Sequence, residues 1–212
     1  MPKRDELEYI EIENSVASAK IALQGGHIFH FECKDKGSVL YLSDTATFKK
    51  DKAIRGGVPT CWPWFGAHKS DSALPNHGFA RTSLWEYKST EALSDRESRV
   101  TLTLHASPET LPLWPYQFAL TLDIYVGKEL RMELTTQNLD SNPFTITPAL
   151  HTYLAVDKIY ETQVDSLEEK HYFDKAQNTF CLQKGSIDFN KEVDRIYQNV
   201  ENDIIIKDAK VR

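Results

Sequence analysis

Cysteine is scarce in this chain of 212 residues: Cys33, Cys61 and Cys181 are odd in number, widely spaced and form no CxxC pair. That pattern argues against a disulfide framework or a zinc site and points to a reducing, cytoplasmic setting. Long apolar runs are missing too; none approaches the ~18 residues that a membrane span needs. The opening MPKRDELEYIEIE has no apolar core of a secretion signal. Basic charge is not in excess, since 25 Lys and Arg stand against 31 Asp and Glu for a net charge of −6. A non-specific nucleic-acid binder is therefore not expected, and neither is a membrane partner. GxGxxG, the P-loop and GxSxG are all absent, so dinucleotide, nucleoside-triphosphate and α/β-hydrolase chemistry lack their signatures. Helical periodicity is rare, with one short candidate at 44–51. His27 and His30 are three apart, which on a strand places them on opposite faces and makes a poor metal site.

What the chain does have is a period of two. Ala17, Ala19, Ile21 and Leu23 alternate with more polar neighbours, as do Val100, Leu102 and Leu104. In YQFALTLDIYV, residues Phe118, Leu120, Leu122, Ile124 and Val126 fall on one face, and Leu130, Met132 and Leu134 continue the pattern after a turn at 126–128. Alternation of this kind marks half-buried antiparallel strands. Turn residues at Gly25-Gly26, Lys36-Gly37, Ser141-Asn142-Pro143 and Lys184-Gly185 fit a meandering sheet. The expected fold class is all-β, a large antiparallel sandwich. With no repeat, linker tract or composition break, a single domain over 1–212 is the simplest organisation. Near the end, Asp203–Lys207 reads as a strand, Asp208-Ala209 as a turn and Lys210–Arg212 as the opening of a hairpin partner, which would leave an unpaired edge.

Several segments are not ordinary strand. IRGGVPTCWPWFG, residues 54–66, packs two glycines, two prolines and three large aromatic rings into a short stretch. The glycines permit positive φ and the prolines fix chain direction. Its rings suit stacking on a sugar's C–H face, although large aromatics more often pack in a core. Arg55 offers a planar fork for an anion, or a surface charge. LPNHGFAR sets His77 beside a glycine with Arg81 four residues on; a lone histidine is more often structural than catalytic. PALHTY places His151 where an imbedded imidazole titrates near neutrality or fills a hydrogen-bonded core position. In KEVDRIY, Asp194 next to Arg195 reads most simply as an exposed salt-bridged turn.

Taken in order, IRGGVPTCWPWFG, LPNHGFAR, LPLWPYQFALTL, PALHTY and EVDRIY resemble the aldose 1-epimerase superfamily, in its hexose-6-phosphate mutarotase or glucose-6-phosphate 1-epimerase branch. The resemblance runs from about Tyr9 to Arg212, and RGG-P-CWPWFG followed by HGFAR is its most specific part. It implies a galactose mutarotase-like supersandwich that interconverts the α and β anomers of a hexose 6-phosphate, with no metal or organic cofactor. By the same resemblance His151 is the general acid at the ring oxygen and His77 contacts the sugar beside it. Asp194 hydrogen-bonds hydroxyls, Arg55 and Arg81 hold the phosphate, and Trp62 forms an apolar cleft wall.

The sequence departs from the family pattern at one point: the glutamate base and the tryptophan-asparagine-proline segment before it are not found. The expectation is a family member lacking its C-terminal part and last strands, with impaired activity. Two alternatives stay open, a non-catalytic carbohydrate-binding or regulatory module and a mutarotase for unphosphorylated aldoses.

Overall fold

The computed structural model describes residues 1–208 and divides into two compact units, Met1–Ala155 and Val156–Arg212. In the first unit the strands are β1 (Lys3–Arg4), β2 (Leu7–Glu13), β3 (Ala17–Ala22), β4 (His27–Cys33), β5 (Gly37–Ser38), β6 (Thr60–Cys61), β7 (Glu86–Ala92), β8 (Ser98–His105), β9 (Phe118–Val126), β10 (Leu130–Asn138) and β11 (Ala149–Leu150). Strands β1 to β5 form one antiparallel sheet in sequence order, and β7 to β10 form a second, ordered β10-β9-β8-β7. A short ribbon pairs β6 with β11.

The period of two is realised as read. Phe118, Leu120, Leu122, Ile124 and Val126 of β9 are all buried, as are Val100, Leu102 and Leu104 of β8. They share one core with Ile10, Ile12, Ala17, Ala19 and Ile21 from the opposing sheet, which makes the unit a β-sandwich. The five β9 side chains contribute roughly 2 kcal/mol each by burial, before the conformational entropy of the chain is set against them.

A second, smaller core of Leu7, Ala22, Phe29, Phe48 and Ile54 lies on the other side of β3 and β4. A bulge makes it possible. Lys20 pairs with His30 but Ile21 pairs with Ile28, so Phe29 is the extra residue. Ile28 and Phe31, an odd number of positions apart, therefore join the same main core while Phe29 joins the small one. The same bulge cancels the expected opposition of His27 and His30. Each has its own partners, and no three metal-ligating side chains cluster among the described residues.

The helix expected at 44–51 is not formed; the segment is turns and irregular chain. Phe48 is drawn into the small core, its carbonyl accepts from the Glu6 N–H, and Asp51 adopts φ 59°. Burial of one aromatic ring overrides a weak helical pattern there.

The second unit holds β12 (Gln163–Asp165), β13 (His171–Asp174), β14 (Thr179–Leu182), β15 (Ile187–Asp188), β16 (Arg195–Tyr197) and β17 (Ile205–Lys207), in two small sheets ordered β15-β12-β17 and β14-β13-β16. The strand read at 203–207 is β17, which pairs with β12. The hairpin partner at 210–212 lies outside the described residues. None of the described helices is long and apolar enough to cross a membrane.

Candidate active site

The proline- and tryptophan-rich segment is the hub that gathers the other motifs. Phe79 and Ala80 both donate their N–H to the Trp62 carbonyl, at 3.1 and 3.2 Å, and bring the HGFAR loop alongside. On the other side β6 pairs with β11, Thr147 N–H donates to Pro63 O, and His151 N–H donates to Pro59 O at 3.1 Å. Segments some 90 residues apart in the chain thus become neighbours through backbone hydrogen bonds alone. Gly78 is required at its place: a Cβ there would sit 2.0 Å from the Trp62 carbonyl oxygen.

The result is a cavity of about 570 Å³ lined by Arg55, His77, Arg81 and His151, within the range typical of small-molecule sites. The two imidazole rings are 6.3 Å apart, centre to centre, and inclined by 31°. Phe65 lies against both, at 4.8 Å from His77 and 5.4 Å from His151.

His77 is held in an uncommon conformation. Its φ is +66°, a left-handed geometry that costs a non-glycine residue roughly 1–2 kcal/mol. Its N–H donates to Gly66 O at 2.7 Å, and Gly66 N–H donates back to His77 Nδ1 at 3.1 Å. A ring nitrogen that accepts carries no proton, so in neutral His77 the hydrogen is on Nε2. Strain at this position is matched by a fixed tautomer, as expected where geometry serves chemistry.

His151 is half-buried, with Tyr153 packed edge-on at 4.9 Å. Burial, and then the positive charge of Arg81, hold its imidazole below the ordinary range. Cys61 also lines the cavity, and burial pushes its thiol up, so it stays protonated. Arg81 donates one guanidinium N–H to Asn76 O at 2.8 Å, while its buried Nε has no partner among the described residues. Arg55 is exposed on the cavity edge with no side-chain hydrogen bond or ion pair among the described residues. Two guanidiniums in one small cavity repel each other and favour an anion between them. Among the described residues no Asp or Glu lines the cavity.

One expected site residue is corrected. Trp62 is not a cleft wall: it is fully buried, packs on Phe79, Trp114 and Phe118, and donates from Nε1 to Thr136 Oγ1 at 3.2 Å. Core packing, the commoner fate of large aromatics, wins there. Phe65 is the exposed aromatic ring of that segment, and Tyr41 and Tyr153 add two more at the cavity. Tyr153 lies inside PALHTY and could have been singled out; Tyr41, in an unremarkable VLYLSD stretch, carries no local signal. Asp194 belongs to the second unit, where it pairs with Lys175 at 2.9 Å rather than with its neighbour Arg195.

The arrangement has relatives. The chain is 36% identical over 208 residues to a protein of Escherichia coli K12 described as a putative glucose-6-phosphate 1-epimerase, covering 97% of this chain and 68% of that one. A protein of Cenchrus ciliaris with the same description is 36% identical over 200 residues, covering 90% of this chain and 60% of its own length. The crystal structure of a putative mutarotase from Salmonella typhimurium superposes with a TM-score of 0.91 at 34% identity, over 98% of this chain and 69% of that one. The β-sandwich is thus of the galactose mutarotase-like kind. The aldose 1-epimerase family model matches residues 8–211, and this chain belongs to the aldose 1-epimerase family.

Proposed function

We propose that the cavity takes a hexose 6-phosphate and that its two histidines serve anomer interconversion. The observation that carries this reading is one cavity lined by two imidazoles 6.3 Å apart and by two arginines. Arg55 and Arg81 bind the phosphate oxygens by charge-assisted hydrogen bonds. Neutral His77 donates from Nε2 to a sugar oxygen beside the ring oxygen. His151, once protonated, gives its proton to the ring oxygen as the bond from that oxygen to C1 breaks. Solvent water, a weak base, takes the O1 proton, and the electron pair of that O–H bond forms the aldehyde C=O. Rotation about C1 and the reverse sequence deliver the other anomer, with no net oxidation or reduction. Tyr41 and Tyr153, which line the cavity, offer flat apolar surface to the sugar's C–H face, and Phe65 backs the two histidine rings.

Phosphate binding also favours the acid. Burial is the larger cause of the depression at His151 and Arg81 the smaller; a dianion held by Arg81 offsets the smaller one and so raises the imidazole, which eases its protonation.

The O1 proton needs a base, and no carboxylate lines the cavity among the described residues. The 212-residue chain is therefore expected to bind sugar phosphate weakly and to exchange anomers slowly. That absence favours a second reading, a carbohydrate-phosphate-binding module without catalysis. One-dimensional exchange NMR of glucose 6-phosphate anomers distinguishes the two, since full-rate exchange by this chain sinks the second. Arg55→Ala and Arg81→Ala should each weaken phosphosugar binding by about 1.5–3 kcal/mol, the worth of a charge-assisted hydrogen bond. If affinity is unchanged in both, the ligand is an unphosphorylated aldose.

A further inference from the structure

His27 has no part in the chemistry above, yet it is buried, 1% exposed, immediately behind the turn that carries Arg55. Its Nε2 lies 2.8 Å from the Gly56 carbonyl oxygen. A carbonyl only accepts, so Nε2 carries the proton and the ring is the donor. Burial keeps the imidazole neutral, with its ordinary value lowered to about 4.

The turn is gripped on every side by such bonds. Ser43 N–H donates to Arg55 O at 3.1 Å, Gly57 N–H donates to Tyr41 O at 2.7 Å, and Tyr153 N–H donates to Gly57 O at 2.9 Å. Each of these partners is backbone. The Gly56 carbonyl is the one held by a side chain, and so the one a single substitution can release. Gly57 shows how closely the ring is fitted: a Cβ at that residue would stand 2.8 Å from His27 Nε2 and 2.2 Å from Ile28 O. On the N-terminal side Ile54 is anchored in the small core, leaving Arg55 suspended between a packed residue and a hydrogen-bonded one.

We infer that His27 is a positioning residue for the phosphate-binding arm, holding the Gly56 carbonyl so that Arg55 enters the cavity at a fixed place. This rests on the phosphate reading of the cavity. A long, flexible arginine binds an anion well only if its backbone is held, because ordering the chain on binding costs affinity. His27 touches no substrate and acts through Arg55.

The test uses two amides of different reach. Gln places its side-chain nitrogen near the position of Nε2, whereas Asn falls short of it. His27→Gln is expected to bind glucose 6-phosphate within about twofold of the parent, and His27→Asn roughly tenfold more weakly, the equivalent of one hydrogen bond. Glucose binding should change in neither. In an Arg55→Ala background His27→Asn should add no further loss, since the arm it positions is gone. Amide exchange at Gly57, read without any ligand, should quicken in His27→Asn and stay near the parent rate in His27→Gln, with thermal melts confirming that both fold. Equal behaviour of Asn and Gln, losses that add to that of Arg55→Ala, or equal losses for glucose and its phosphate would each overturn the inference. Failure of the parent chain to prefer phosphosugar over glucose would instead overturn the phosphate reading on which it rests.

Discussion

The two compact units of this chain are held together by different means. The first has apolar cores on both sides of its β3–β4 ribbon, filled by alternating side chains. The second buries only Leu167, Tyr172 and Ile187 among its described apolar side chains. Its centre is polar: buried Gln183 accepts from Tyr197 OH at 2.6 Å and from Arg195 Nη1 at 3.0 Å, and Arg195 stands 3.7 Å from buried Asp174 and 4.6 Å from the Tyr172 ring. Packing is tolerant in composition but unforgiving in volume, while a buried polar cluster depends on every partner being present. The first unit should therefore respond to lost volume and the second to lost partners.

The largest expected effect tests the packed side. Leu122→Ala, at a fully buried position in β9, should cost about 4 kcal/mol in denaturant unfolding. A loss smaller than that of the polar substitution below would break the contrast. Next comes acid. His27 titrates near 4 when folded and near 6.5 when unfolded, so the unfolded chain binds the extra proton between those values. Stability is full above about pH 6.5 and falls as pH drops towards 4, by about 3 kcal/mol at the limit. His27→Gln cannot titrate and should flatten that part of the profile; an unchanged slope would show that the ring is not buried neutral.

In the second unit Gln183→Leu should cost about 2 kcal/mol, because Tyr197 and Arg195 lose a shared acceptor. The readout is faster hydrogen exchange in β13 and β16, and a stabilised variant would mean that the polar centre is dispensable. The smallest effect is at Asp194. Its pairing with Lys175 is half-exposed, so Asp194→Asn should change stability by less than about 1 kcal/mol.

The difference between the units also explains what was readable in the sequence. Period-two alternation reports burial on one face, so β3, β8, β9 and β10 could be read directly. A bulge leaves no such mark. The pattern HIFHFEC gives no hint that Phe29 and Phe31 serve different cores, so the small core went unseen, and His27 with it. The polar sheets of the second unit have short strands and little apolar alternation, and the sequence joined them to the first as one domain. At the cavity, the residues found were those in segments too rich in glycine, proline and aromatics to be plain strand. Tyr41 was missed because it comes from ordinary strand-like sequence, and Trp62 was misplaced because a ring's burial depends on neighbours far along the chain.

The bulge in β4 makes codon count a constraint at a place where loops would forgive it. Removing one residue between His27 and His30 abolishes the bulge while the flanking pairs keep their register, so one side chain is left where Ile28 and Phe29 now serve two different cores. Single-residue deletions should thus be absent from functional libraries in this strand, because the small core would lose a ring that packs on Phe48.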